Sequence, residues 1–85
     1  MGPTTAIDEK TLEILKRDEP KIIRALEIYY SRFDTDGGIT FQGAALKAGA
    51  NPAYMVDYMF YRGNLGMPSD REEALGYLDN LKRRG

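Results

Sequence analysis

Residues 40–60, TFQGAALKAGANPAYMVDYMF, constrain the fold of this 85-residue chain more than any other stretch. Ala44, Ala45 and Ala48 lead into Gly49, and Asn51 with Pro52 then opens a second helix. Alanine carries almost no side-chain bulk, so two helices can cross closely there. Glycine takes the left-handed backbone that ends a helix, Asn caps a new one, and Pro fits its first turn. This is the pattern of a helix-turn-helix: Ala45 is the small residue of the first helix, Gly49 the turn, and Met55 and Tyr58 the positions where the second helix packs back. An ordinary helical hairpin would satisfy the same residues.

The rest of the chain narrows the function by what it lacks. It has no Cys and no His, which removes disulfides, thiolate chemistry, the usual general base near neutral pH and the commonest transition-metal ligand. The reading is therefore a non-catalytic protein with no cofactor, no metal and no small-molecule substrate. No apolar run approaches the roughly 20 residues that span a bilayer, and the opening MGPTTAIDEK lacks the basic and apolar regions of a secretory signal, so a cytoplasmic protein without membrane contact is expected. Net charge is −1. Residues 39–62 carry two positive and one negative charge, an almost neutral reading module that gives little electrostatic support to DNA binding.

Along the chain, residues 1–6 show no periodicity and read as a flexible tail before a single helical domain over residues 7–85. Asp8 caps a short amphipathic helix carrying Leu12, Ile14 and Leu15, which Asp18 and Pro20 are expected to end near Arg17. A second helix follows, with Ile22, Ile23, Leu26, Tyr29, Tyr30 and Phe33 at three- and four-residue spacing. The turn at Asp34, Thr35, Asp36, Gly37 and Gly38 offers paired glycines for positive φ. Thr40 caps a third helix to Ala48, and a fourth runs from Pro52 to Arg62 with Gly63 behind it. Ser69 with Glu72 forms a capping box for a fifth helix of about fourteen residues striped by Ala74, Leu75, Leu78 and Leu81. The expected architecture is all-α, four to five short helices around a central helix-turn-helix at residues 40–62.

Three roles are open to the helix that starts at Pro52. As a DNA reader it would work with the residues before it, through Thr40, Gln42, Asn51, Tyr54, Asp57, Tyr61 and Arg62, although Arg62 is its lone cation and Asp57 would repel phosphate. As a docking or dimer face it would use Met55, Tyr58 and Met59, with Leu75, Leu78 and Leu81 further on. It can also be the central core helix, since it is apolar nearly all round. Asp34 to Ile39 resembles the middle of an EF-hand loop, but Arg32 and Gly43 stand where the first and twelfth ligands belong, and two carboxylates cannot supply the six to eight oxygens calcium takes. Lys82, Arg83 and Arg84 suit either phosphate or the negative end of a helix dipole, and Asp70, Glu72, Glu73 and Asp79 suit either a basic partner or an acidic first turn.

Several residues also carry a family resemblance. Ala25, Leu26, Tyr29 and Tyr30, then Gly38, Ile39 and Thr40, Gly43, Ala44 and Ala45, Ala48 and Gly49, and Arg62 with Gly63 resemble a family of small prokaryotic helix-turn-helix proteins whose genes neighbour PIN-domain toxins and which are treated as candidate antitoxins. The chain departs from that pattern in its acidic double-glycine turn, its Pro52 and its connector at residues 64–68. The resemblance implies a dimeric regulator of transcription with two surfaces, a helix-turn-helix for operator DNA and a C-terminal segment that occludes a nuclease toxin. The alternative is a protein-interaction or homodimerisation module that binds no DNA.

Overall fold

A computed structural model describes residues 7–83. Among the described residues there are four helices: α1 (Glu9–Arg32), α2 (Phe41–Ala48), α3 (Pro52–Arg62) and α4 (Arg71–Lys82). Among the described residues there is no strand, and no helix is long and apolar enough to cross a membrane. The expected tail at residues 1–6, and Arg84, lie outside the described residues.

The expected break near Asp18 and Pro20 does not occur. α1 runs unbroken for 24 residues with Pro20 inside it, so the described residues form four helices and not five. Pro20 removes one backbone donor and crowds the carbonyl four residues back, at a cost of about 3 kcal/mol. Against that stands burial on both sides of it: Leu15 before, and Ile22, Ala25, Leu26, Tyr29 and Tyr30 after, all close the same core. Large apolar side chains contribute about 1.5–3 kcal/mol each on full burial. One continuous helix keeps them on one face, and exposed Pro20 leaves the Lys16 carbonyl to water.

α1 is the spine. It packs against α2, α3 and α4, whereas the backbone of α4 comes close to that of α1 alone and α2 and α3 also touch each other. At 1.5 Å per residue α1 is about 36 Å long, and it sets the long axis of a molecule measuring 45 × 23 × 21 Å. Ala44 and Ala45 on α2 and Ala25 on α1 are all fully buried, the close approach that small residues permit. Tyr29 fixes the outer edge of that contact, its ring edge-on to Phe41 at 5.1 Å.

Most helix ends follow the expected chemistry. Asp8 accepts from the Thr11 amide at 2.8 Å, Thr40 Oγ1 from Gly43 at 2.9 Å, and Asn51 Oδ1 from Ala53 at 2.9 Å. Gly49 (φ 73°) and Gly63 (φ 81°) are left-handed and close α2 and α3. Two local expectations need correction. In the turn after α1 the left-handed residue is Asp34 (φ 59°), not either of the paired glycines; a short polar side chain tolerates that conformation. The cap of α4 is Asp70, not Ser69: Asp70 accepts from the Glu73 amide at 2.9 Å, and the Glu73 carboxylate reaches back to the Ser69 amide at 2.8 Å. An ionised acceptor makes the stronger charge-assisted bond, which shifts the box by one residue.

Two arginines cap helices other than their own. Arg71 Nη1 donates to the carbonyls of Ser31 and Phe33, both at 3.0 Å, at the end of α1. Arg62 Nη2 donates to the carbonyls of Asn80 at 2.8 Å and Arg83 at 3.2 Å, at the end of α4. The last carbonyls of a helix have no partner within it, so a guanidinium fork satisfies several at once. The connector between α3 and α4 is held by the core: Tyr30 Oη donates to the Gly66 carbonyl at 2.8 Å, and a Cβ at Gly66 would lie 3.0 Å from the Tyr77 hydroxyl oxygen.

Candidate interaction surface

α3 divides into two faces. Met55, Tyr58 and Met59, expected as a partner surface, lie at the helical repeat that meets α1 and are buried within the protomer. Leu81 is likewise buried, and Leu78 is half-buried against the core; neither forms a free surface. Of the six residues expected to bind a partner, Leu75 alone is exposed.

The free apolar surface of α3 lies on its other side. Val56 is 39% exposed and Phe60 73%, one turn apart, and Met67 of the connector is 56% exposed. With Met59, Gly63, Leu65 and Gly66 they line a groove of about 410 Å³. Sequence reasoning missed Val56, Phe60 and Met67. The signal was present in the spacing, because once 55, 58, 59 and 62 are taken as one face, 56 and 60 fall on another. An almost uninterrupted apolar run hides that division until the core partner is known.

The residues assigned to DNA are mostly committed elsewhere. Thr40 and Asn51 are exposed, but their side-chain oxygens cap α2 and α3. Tyr54 is half-buried and packs on the core, and Asp57 is half-buried. Gln42 and Tyr61 remain exposed. Arg62, the lone cation of α3, is drawn into the protomer: besides the α4 carbonyls, its Nη1 donates to Tyr58 Oη at 3.1 Å, with the guanidinium 5.7 Å from the Tyr58 ring centre. Tyr58 in turn donates to Glu19 Oε2 of α1 at 2.7 Å. The network joins α1, α3 and the end of α4, and nothing in it points toward a groove of DNA.

Electrostatics in the core is a matter of phenols. Burial pushes Tyr30 and Tyr58 above their ordinary value of 10.0; the Glu19 carboxylate adds to the shift at Tyr58, while Arg62 opposes it. A phenol harder to ionise in the folded chain than in the unfolded one contributes stability below the unfolded value and loses it as pH rises toward the folded one. With no His to titrate, stability is expected to be flat from about pH 6 to 9 and to fall above about pH 10. Denaturant titrations followed by circular dichroism test this; stability that persists unchanged to about pH 11.5 would contradict it.

Among the described residues no group of three or more His, Cys, Asp and Glu side chains is placed to hold a metal ion. No protein-family model, curated protein or solved structure matches the chain.

Proposed function

We propose that this chain is a small, non-catalytic interaction module that pairs with a second copy of itself through the outer face of α3. The exposed Phe60 beside its own apolar groove carries this reading. A twofold contact brings each residue against its symmetry mate's surroundings, so a face that is both knob and groove can complement itself. Asp57 and Arg62 are the only charges in residues 50–68, and Arg62 is occupied within the protomer, so little like-charge repulsion opposes such a contact. Operator reading has less support, because Thr40, Asn51 and Arg62 already spend their polar groups on helix ends.

Burying a Phe ring contributes about 2 kcal/mol, and a twofold contact buries two. Sedimentation equilibrium of the whole chain is expected to give a concentration-dependent dimer, and Phe60→Asp to weaken it on the order of a hundredfold or more. A strictly monomeric chain at millimolar concentration defeats the self-pairing. If that monomer instead binds a PIN-domain nuclease one to one, the two-surface regulator implied by the family resemblance becomes the better reading.

A further inference from the structure

We propose that the outer flank of α1 binds the phosphodiester backbone of a nucleic acid without reading its sequence, a role independent of pairing at α3. Lys10, Arg17, Lys21, Arg24 and Arg32 are all exposed. At 3.6 residues per turn they fall within about 80° of one another, and at 1.5 Å per residue the row is about 33 Å long. Glu13 lies about 20° outside one edge of the row and Asp18 about 40° outside the other. Glu9 and Glu27 are further round, so cations dominate the solvent side of the spine.

The row is also available. Arg17 bridges to Asp18 at 3.3 Å yet stays 73% exposed, and among the described residues no ion pair holds the other four. Lys82 of α4 adds a further cation, sharing with Arg24 a shallow groove that also contains Ser31 and the Glu27 carboxylate. A net charge of −1 spread over the whole chain hides this local asymmetry.

The form of the surface selects the partner. A duplex carries one negative charge per about 1.7 Å of axis, so an elongated row of cations is drawn to its backbone whatever the base sequence. A membrane-surface helix needs apolar side chains beside its cations. Here Ile22, Ala25, Leu26 and Tyr29 are buried in the core instead, and half-buried Ile28 is a poor anchor. A protein partner is held by buried anchors in pockets, and the groove that Arg24 shares with Lys82 is shallow.

Fluorescence anisotropy with a labelled duplex of about 20 base pairs and arbitrary sequence tests the proposal on the whole chain. Affinity is expected to be micromolar at low salt and to fall with a log–log salt slope of about −4.5, from five phosphate contacts. Lys21→Glu with Arg24→Glu should weaken binding at least tenfold and flatten the slope by about 2. Should that variant misfold by circular dichroism, the neutral pair Lys21→Gln with Arg24→Gln is expected to flatten the slope similarly. Gln42→Ala with Tyr61→Ala should change nothing. The proposal is overturned by no binding at low salt, by a slope indifferent to Lys21 and Arg24, by loss on the Gln42 and Tyr61 substitutions instead, or by phosphatidylserine vesicles displacing the duplex.

Discussion

Replacing Arg62 with alanine is expected to lower stability by about 3 kcal/mol, because hydrogen bonds to a charged group contribute about 1.5–3 kcal/mol each and several are lost together. The guanidinium holds the carbonyls at the end of α4 and the Tyr58 hydroxyl, and so joins elements whose backbones otherwise meet only through α1. Removing it leaves the α4 carbonyls to water and Tyr58 with Glu19 alone. In a domain of this size the loss corresponds to a fall in Tm of roughly 12–24 °C. Arg62→Lys should recover only part of it, since an ammonium cannot serve the phenol and the helix end in one fork. Hydrogen exchange should locate the damage at residues 79–83. A variant that melts within a degree or two of the parent would show the capping to be dispensable.

The second large effect has the opposite sign. Pro20→Ala is expected to raise stability by about 2 kcal/mol. Alanine restores the bond to the Lys16 carbonyl and relieves the ring clash, worth about 3 kcal/mol, while the freer unfolded chain takes back about 0.4–1 kcal/mol. The side chain at this position is exposed, so no core contact is sacrificed. Chemical denaturation should show the midpoint rising with an unchanged slope, and a lower midpoint would mean that the spine depends on its proline.

Helix ends were legible in the sequence because capping is local chemistry. Asp8, Thr40, Gly49, Asn51 and Gly63 act within a few residues of themselves, and each stands where the pattern placed it. Pro20 was misread because its local penalty is opposed by side chains as far away as Tyr30, and a local rule does not weigh that sum. The exposed apolar face of α3 was missed for a related reason. Met55 and Val56 are both apolar, and which of them is buried depends on where α1 lies. Arg62 looked like a free cation because, besides the Tyr58 hydroxyl, its acceptors are backbone carbonyls about twenty residues away, and backbone carbonyls leave no mark in a sequence.

The connector between α3 and α4 has a consequence for binding kinetics and entropy. A glycine-containing loop that lines a groove normally has to be ordered when a partner arrives, and affinity is reduced by that loss of freedom. Here Tyr30 and Tyr77 hold Gly66 from beneath, and Pro68 is buried. The wall carrying Leu65 and Met67 is therefore set before any encounter, and an incoming chain meets a finished shape. A small apolar face can then bind with most of its contact energy intact, and loosening Tyr30 would slow association at a groove that Tyr30 supports from behind through Gly66 without lining it.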